Sequence, residues 1–178
     1  MGLVHLARDG DKAAFAKLVE QYQNRIVAVA YGVAGNRQDA EDIAQDTFIK
    51  AYKGINSLQE DGVFYRWLVR IAVNTAISHK QSGRSGELIP LESIAEPVDQ
   101  GETPEAYLER RGEEERIQEM LAPLPSDSRA VLVLREIEGL GYEEIAKVLE
   151  IPIGTVRSRI HYARDRLRRA ISLKNEVK

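Results

Sequence analysis

The sequence predicts an all-α protein built from two small helical domains joined by a flexible linker. Apolar residues recur at every third or fourth position through most of the 178-residue chain, and this spacing is typical of amphipathic helices. No segment alternates apolar and polar residues as a half-buried strand would. Between residues 83 and 104 the helical period is lost, and this stretch holds three of the six prolines, which indicates a linker.

Two helices are predicted at the N-terminal end. Asp11 is a candidate N-cap for a long first helix. Gly35 ends that helix, because glycine accepts the backbone angles of a helix terminus. The second helix covers about residues 37–53, and Gly54 is expected to follow it as a C-terminal stop. Each helix has an apolar stripe on one side, so the two are expected to pack together.

A loop over residues 56–61 leads to a third predicted helix, in which Phe64, Trp67 and Leu68 form an aromatic and apolar cluster. One interpretation makes this cluster a core anchor. The other makes it a platform near single-stranded bases, since aromatic rings stack on bases while a neighbouring arginine, Arg66, contacts phosphate. Spacing alone leaves both interpretations open.

The second helix also carries Asp39, Asp42 and Asp46, which at this spacing share one helix face. The residues leave three interpretations open: a divalent-metal cluster, a docking face for a basic partner, or a polar face that keeps the helix soluble. The metal interpretation is the weakest, because no histidine or second carboxylate pair lies nearby and one helix rarely completes a coordination sphere. No metal and no cofactor is therefore predicted.

The C-terminal domain is predicted to start with a polar helix. Thr103 and Pro104 form a typical helix start, with threonine as N-cap and proline at the first helical position. This helix is expected to end near Leu121. Ser126 is a candidate N-cap for the next helix, which Gly139 closes.

Two further helices, over about residues 142–149 and 153–170, have the spacing of a helix-turn-helix. Ala146 is the small residue where the helices cross, and Val156 is the buried position early in the second helix. Glu150 departs from the pattern, since glycine is common at this turn and glutamate disfavours left-handed backbone angles. The exposed face of the second helix is polar and basic, comprising Thr155, Arg157, Ser158, Arg159, His161, Tyr162 and Arg164. This face fits duplex DNA; the alternative is a solvated basic helix in a helical hairpin.

The formal net charge of −3 is distributed unevenly along the chain. The predicted N-terminal domain, residues 1–82, carries +1, and the linker with the start of a connecting helix, residues 83–112, carries −4. The predicted C-terminal domain, residues 113–178, divides into −6 over 113–154 and +6 over 155–178. Because charges act within about 8 Å at physiological ionic strength, the negative total does not exclude a nucleic-acid-binding face.

Composition excludes several function classes. The chain contains no cysteine, which excludes disulfides, thiolate nucleophiles and cysteine-based zinc sites. The first residues lack the basic start and apolar run of a signal peptide, and no stretch approaches the roughly 18 apolar residues of a membrane span. A cytoplasmic protein with no membrane contact of its own is predicted.

Four segments carry a family resemblance: DAEDIAQDTFIKAY, FYRWLVRIAVN, LREIEGLGYEEIA and IPIGTVRSRIHYARDRLR, within about residues 9–80 and 113–170. Together they resemble the extracytoplasmic-function (ECF) group of bacterial RNA polymerase sigma factors, in particular its envelope-stress sigma E branch. The resemblance implies an alternative sigma factor, itself no enzyme, that directs promoter-specific transcription initiation. Its implied partners are core RNA polymerase, promoter DNA (duplex and melted non-template strand) and an anti-sigma factor, in a stress or envelope response.

The resemblance also assigns residues to three surfaces. Core-polymerase binding is implied for Asp39, Asp42, Gln45, Asp46, Phe48 and Lys50. Recognition and melting of the minus-ten element is implied for Asn56, Ser57, Asp61, Phe64, Arg66, Trp67, Arg70, Asn74 and Lys80. Recognition of the minus-thirty-five element in the major groove is implied for Thr155, Arg157, Ser158, Arg159, His161 and Arg164. No catalytic residue, metal or cofactor is implied, and the acidic linker would run through the basic interior of the polymerase.

Two other function classes follow from the residues alone. A stand-alone helix-turn-helix regulator would bind duplex DNA without polymerase, but it does not require the acidic helix or the aromatic cluster. A metal-dependent hydrolase would use the aspartate face, but His5, His79 and His161 are scattered along the chain. The sequence departs from the family near Ser78, where members often carry an acid followed by several basic residues; here the run is SHKQSGR.

Overall fold

The computed structural model describes residues 2–82 and 103–176, and all regular elements within those ranges are helical. The all-α fold class is therefore confirmed. The α-helices are α1 Leu3–Arg8, α2 Lys12–Ala34, α3 Arg37–Gly54, α4 Phe64–Gln81, α5 Pro104–Leu121, α6 Ser126–Leu132, α7 Tyr142–Leu149 and α8 Ile153–Glu176. None of the described helices is long and apolar enough to cross a lipid bilayer. The linker predicted between the domains lies, over 83–102, outside the described residues.

The boundary between α2 and α3 agrees with the sequence. Asp11 caps α2, and its carboxylate accepts hydrogen bonds from two backbone N–H groups of the first turn at 2.8 and 3.1 Å. Gly35 ends this helix in the left-handed region, with φ of 89°. The Asn36 side chain then caps α3 by accepting a hydrogen bond from the backbone N–H of Asp39 at 2.8 Å.

Gly54 does not stop α3 in the predicted way. It is the last residue of the helix, with φ of −104°, and the chain continues directly into a 3-10 turn over Ile55–Ser57. The turn places Ile55 in the core, where it is 2% exposed. Burial of Ile55 thus outweighs the tendency of glycine to end a helix in a left-handed conformation, since tertiary packing overrides local propensity.

The N-terminal bundle, defined as α1–α4, buries the predicted apolar stripes of its three long helices against one another. Ile26, Ile43 and Leu68, one from each long helix, are completely buried. Phe64 joins them, and its ring centroid lies 5.7 Å from that of Tyr22. The sequence does not predict α1, because six residues are too few to show a helical period; this helix packs on α2.

The first of the C-terminal helices, α5–α8, begins as predicted. The Thr103 hydroxyl oxygen accepts a hydrogen bond from the Ala106 N–H at 3.3 Å, and Pro104 is the first helical residue. The prediction that Ser126 caps α6 is wrong. Pro125 stands at the N-cap position without a side-chain hydrogen bond, and Ser126 is already helical. The fixed φ of proline prepares the chain for a helix without a side-chain acceptor.

The helix-turn-helix forms as the spacing predicts. A π-helical turn over Val133–Ile137 continues α6 toward Gly139, whose φ of 68° ends it. At the turn between α7 and α8, Glu150 adopts the left-handed conformation (φ 55°, ψ 42°) that its side chain disfavours. The Ile151 N–H donates to the Ala146 carbonyl oxygen at 3.1 Å, which closes the turn. Glutamate at this position therefore does not prevent the motif.

The C-terminal helices pack directly on the N-terminal bundle, with α6 against α2 and α4. At Gly32 the approach is so close that an added Cβ atom would lie 2.6 Å from Val133 Cγ2. Beside it, the buried Arg129 donates from Nε to the Gly32 carbonyl oxygen at 2.9 Å. Burial lowers the pKa of the Arg129 guanidinium from its usual value. Apolar side chains from both halves form one continuous core.

Candidate polymerase and nucleic-acid interfaces

A cleft of about 720 Å³ opens between α2 and α3. Its apolar lining consists of Phe15, Val19, Val27, Ala44, Phe48, Ile49 and Tyr52. Ile49 and Tyr52 are 47% and 45% exposed, which is unusual for large apolar side chains. Asp42 and Gln45 border the same cleft and are exposed. The cleft thus offers an apolar surface with a polar, acidic edge, which suits a partner with apolar and basic side chains.

The spacing of the three aspartates of α3 predicts that they share one exposed face. The structure does not place all three on such a face. Asp42 and Asp46 are exposed, but Asp39 is 5% exposed. The Asn36 amide donates to the Asp39 carboxylate at 2.6 Å, and Lys80 Nζ lies 4.0 Å from the same oxygen. Asp39 is buried because it belongs to the capping structure at the start of the helix. In the described part of the chain, no group of three or more His, Asp or Glu side chains could hold a metal ion.

Two of the remaining residues implied in polymerase binding make contacts with the rest of the bundle. Phe48 is 9% exposed and forms part of the apolar wall of the cleft. Lys50 Nζ donates to Thr75 Oγ1 at 2.9 Å, which ties α3 to α4. The structure therefore presents Asp42, Gln45, Asp46 and Lys50 to solvent, and it buries Asp39 and Phe48.

Residues implied in minus-ten recognition lie in different environments before and along α4. Asn56 and Ser57 are exposed. The Asp61 carboxylate accepts a hydrogen bond from the guanidinium of Arg8 in α1 at 3.1 Å. Phe64 is 2% exposed and is a core anchor of the bundle. Trp67 is partly buried, with its ring centroid 5.9 Å from that of Phe64. The aromatic cluster therefore divides into one core ring and one ring that remains accessible.

Farther along α4, Arg66 and Arg70 lie one helical turn apart, and acids of the C-terminal helices contact both. Arg66 pairs with Glu144 in the first turn of α7, and Arg70 pairs with Glu150 in the turn after it. The backbone N–H of Gly141 donates to the Glu144 carboxylate at 2.9 Å. That hydrogen bond, together with Arg66, lowers the pKa of Glu144. Two more implied residues of α4, Asn74 and Lys80, are half-buried.

Tyr65 and Arg25 belong to the same surface, although the sequence did not single them out. The Arg25 guanidinium lies 4.0 Å from the centroid of the Tyr65 ring, which also stacks on Tyr22 at 5.3 Å. The Tyr65 hydroxyl donates to Glu138 Oε1 at 3.0 Å, and Glu138 Oε2 lies 3.9 Å from Arg25. Burial and the Glu138 carboxylate raise the pKa of Tyr65 to about 12. These contacts join segments far apart in sequence, so no local pattern could reveal them.

The basic face of α8 is partly open and partly engaged by neighbouring acids. Its exposed members are Arg157, Ser158, His161, Tyr162 and Arg164. Arg159 pairs with Asp127 at 2.9 Å, and Arg164 pairs with Glu136 at 2.6 Å. The hydrogen bond to Glu136 raises the pKa of Arg164. Thr155 is half-buried, and its carbonyl oxygen accepts a hydrogen bond from the Ser158 hydroxyl at 3.0 Å.

Two family matches cover most of the two halves. Residues 18–85, which include most of α2 and all of α3 and α4, match the family described as Sigma-70 region 2. Residues 114–167, which include the helix-turn-helix, match Sigma-70, region 4. The matches fall in the order that the four sequence segments predict.

Relatives in three bacteria are similar over nearly the whole chain. The RNA polymerase sigma-H factor of Pseudomonas aeruginosa is 38% identical over 180 residues, covering 95% of this chain and 92% of that protein. The ECF RNA polymerase sigma-E factor of Haemophilus influenzae is 39% identical, with coverage of 95% and 93%. The ECF RNA polymerase sigma-E factor of Escherichia coli K12 is 38% identical, with coverage of 92% and 89%.

Solved structures share the fold. A structure of CnrH in complex with the cytosolic domain of CnrY has a TM-score of 0.67 and 26% identity, and covers 96% of both chains. A structure of the sigma factor RpoE in complex with the anti-sigma factor NepR from Bartonella quintana has a TM-score of 0.62 and 23% identity, covering 89% of this chain. With the family matches and the curated relatives, these similarities show that the chain belongs to the ECF group of RNA polymerase sigma factors.

Proposed function

We propose that this sigma factor binds core RNA polymerase through the cleft between α2 and α3. The observation that carries the proposal is the exposure of Ile49 and Tyr52 beside the acidic edge of the cleft. Exposed apolar side chains with a charged rim are typical of protein interfaces. Asp42, Gln45 and Asp46 would contact the partner directly, and Phe48 contributes to the wall of the cleft. Asp39 and Lys50 hold α3 in position through their hydrogen bonds.

We propose that α4 and the loop before it bind the melted non-template strand of the minus-ten element. Arg66 and Arg70 are placed to contact phosphates, since guanidinium groups pair with phosphate as they do with carboxylate. Trp67 offers a partly exposed ring for stacking. Asn56 and Ser57 carry polar groups that can bind an extruded base, whose extrusion costs about a few kcal/mol. Phe64 supports this surface from the core.

We propose that α8 enters the major groove of the duplex at the minus-thirty-five element. In a helix-turn-helix the second helix contacts base edges with its N-terminal residues. Arg157, Ser158 and His161 are exposed in this part of α8. Arginine can form a bidentate contact with guanine O6 and N7, which makes Arg157 the main candidate for base recognition.

We further propose that the protein acts in the cytoplasm with the polymerase and contributes no catalytic group and no cofactor of its own. Its division into domains at residues 1–82 and 113–178, with a connecting segment over 83–112, follows from composition and charge. Control by an anti-sigma factor in a stress or envelope response is expected from the family, and CnrH was solved with a second protein, CnrY, bound to it.

Run-off transcription with core RNA polymerase on a library of promoter sequences tests the proposal. We expect the purified chain to bind the core enzyme and to direct initiation from a subset of the library that shares two spaced elements. A chain that binds duplex DNA tightly and specifically but does not bind core polymerase would contradict the proposal and favour the stand-alone regulator.

A further inference from the structure

The loop between α3 and α4, residues 55–63, is buried at its ends and exposed between them. We call this segment the minus-ten loop. Ile55 and Leu58 near its start are 2% and 5% exposed, and Phe64, which follows it, is 2% exposed. Five residues separate Leu58 from Phe64, and all of them except Asp61 are exposed. Apolar burial therefore fixes the ends of the loop, and the position of its middle depends on Asp61.

An ion pair connects the middle of the loop to the first helix of the bundle. The Asp61 carboxylate accepts a hydrogen bond from the Arg8 guanidinium at 3.1 Å, across 53 positions of sequence. Both residues are partly buried, so salt screens this pair less than a fully exposed one. Asp61 also begins the 3-10 turn that leads into α4. The pair thus joins α1 to the point where the loop ends and α4 begins.

The short helix α1 is itself held in place, so it can act as a support. Ala7 is 4% exposed, and the helix packs on α2. The left-handed φ of 93° at Gly10 lets the chain turn between the two helices. The same helix contacts the 3-10 turn over Ile55–Ser57 at the start of the loop. It therefore contacts the loop at its beginning and, through Arg8, near its end.

We infer that α1 is a positioning element for the minus-ten loop. By pairing with Asp61, Arg8 keeps the loop ordered before DNA binds. Asn56 and Ser57 are then in place for the extruded base. Extrusion of a base is unfavourable, and a loop that must be ordered on binding adds to that cost. The pair also neutralises an acid beside a surface proposed to bind a polyanion. Asp61 therefore acts through the shape of the loop and not by contacting a base. This inference rests on the proposed minus-ten role of the loop.

Two single variants and one exchange test the inference in the full chain. Arg8→Ala removes the donor, and Asp61→Asn removes the charge of the acceptor. Arg8→Asp with Asp61→Arg restores an ion pair in the opposite order, and Arg8→Lys keeps the positive charge. Arg116→Ala is the matched control, because it removes the same side chain at an exposed position of α5, a helix to which no DNA contact is assigned.

Loop order is measured first, in the free protein. A cysteine introduced at the exposed Gln59 carries a spin label, because the chain has no cysteine of its own. We expect the electron paramagnetic resonance spectrum to show faster motion in Arg8→Ala and in Asp61→Asn. The exchanged pair and Arg8→Lys should return it toward the spectrum of the wild type, and Arg116→Ala should leave it unchanged. Unchanged motion in both single variants would overturn the positioning role.

Promoter opening is measured next, with the holoenzyme on a promoter selected from the library. Fluorescence of 2-aminopurine in the minus-ten element reports the unstacking of bases. We expect Arg8→Ala and Asp61→Asn each to lower the equilibrium constant for opening by about threefold, within the range of one exposed ion pair. Binding to core polymerase should not change. The exchanged pair should recover most of the loss. A loss that the exchange does not recover would mean that Arg8 or Asp61 contacts DNA directly, which would overturn the inference.

A further variant separates this inference from the function on which it rests. Asn56→Ala with Ser57→Ala removes the polar groups proposed to bind the base and leaves the ion pair with α1 intact. If this variant impairs opening and Arg8→Ala does not, the positioning role of α1 is wrong while the role of the loop stands. If neither variant impairs opening, the proposed minus-ten role of the loop is wrong as well.

Discussion

The cleft between α2 and α3 and the basic faces of α4 and α8 differ in what they contact within the protein. The cleft is open, with Ile49 and Tyr52 exposed to solvent. Four arginines of the basic faces contact carboxylates instead, whereas Arg157 of α8 is exposed. The pairs are Arg66–Glu144, Arg70–Glu150, Arg159–Asp127 and Arg164–Glu136.

This difference has a consequence for the order of binding. An arginine that leaves a carboxylate for a phosphate gains only the difference between two similar contacts. Apolar side chains that leave water for a partner gain the full effect of burial. On the proposed assignments, the polymerase surface is available in the free protein, whereas Arg66 and Arg70 of α4 must first leave Glu144 and Glu150. We therefore expect polymerase binding to precede promoter binding.

The largest expected effect follows from removing the buried contact between the two halves. Arg129→Ala leaves the Gly32 carbonyl oxygen without its 2.9 Å donor and opens a cavity. We expect it to lower the free energy of unfolding by about 3 kcal/mol, measured by urea denaturation. Arg129→Lys keeps the charge but not the planar donor group and should lose less. A loss in Arg129→Ala below about 0.5 kcal/mol, typical of surface changes, would show that the halves do not depend on this contact.

The second prediction compares an exposed arginine of α8 with a paired one. Arg157→Ala should weaken binding to the minus-thirty-five element by about 1–3 kcal/mol if Arg157 makes a bidentate base contact. Arg164→Ala should weaken it less, because Arg164 gives up its contact with Glu136 before it binds DNA. Fluorescence anisotropy with specific and scrambled duplexes measures both effects. An equal loss on every duplex would make Arg157 a phosphate contact.

The third prediction concerns the open cleft. Asp46→Arg reverses an exposed charge on α3 and should weaken binding to core polymerase by about 1.4 kcal/mol, roughly tenfold. Binding of the variant to minus-thirty-five duplex DNA should not change. Glu109→Arg, at an exposed position of α5, is the matched control. Loss of both activities in Asp46→Arg, with lower helicity in circular dichroism, would instead indicate unfolding.

Elements with a local signal could be predicted from the sequence. Thr103 with Pro104 defines the start of α5, and Asp11 defines the start of α2, because capping depends on residues within one turn. Gly54 and Ser126 were predicted wrongly for a related reason. Burial of Ile55 determines the end of α3, and the backbone of Pro125 determines the start of α6. Neither effect can be recognised from the local sequence pattern.

The candidate sites also differ in whether a local sequence pattern reveals them. The basic face of α8 is visible in the sequence because its residues lie on one helix. The pairing of Tyr65 with Glu138, and of Arg70 with Glu150, joins residues 73 and 80 positions apart. Such contacts depend on how the halves meet, which the sequence alone does not reveal. The inward position of Asp39 likewise follows from packing and not from its spacing.

A smaller effect is expected at the strained turn. Glu150→Gly relieves a left-handed backbone that costs a non-glycine residue about 1 kcal/mol. Glu150→Gln keeps the strain and loses the charge, so the two variants differ mainly in backbone strain. We expect the glycine variant to unfold at the higher urea concentration, with a difference of about 1 kcal/mol. The opposite order would mean that the conformational freedom of glycine in the unfolded chain outweighs the strain.

The smallest expected effect appears in the pH dependence of stability. The pKa of Tyr65 is raised to about 12 by its burial and by Glu138, above the ordinary value of about 10. Below the ordinary value, both the folded and the unfolded chain keep the proton on the Tyr65 hydroxyl, so the contribution of this group to stability is complete. Between the two values only the folded chain holds it, so the free energy of unfolding falls as the pH rises. The wild type should therefore lose stability faster than Tyr65→Phe across this window in urea denaturation. Equal slopes would show that the pKa of Tyr65 is not raised in the folded protein, and the contrast between an open cleft and an occupied basic surface would then rest on the arginine pairs alone.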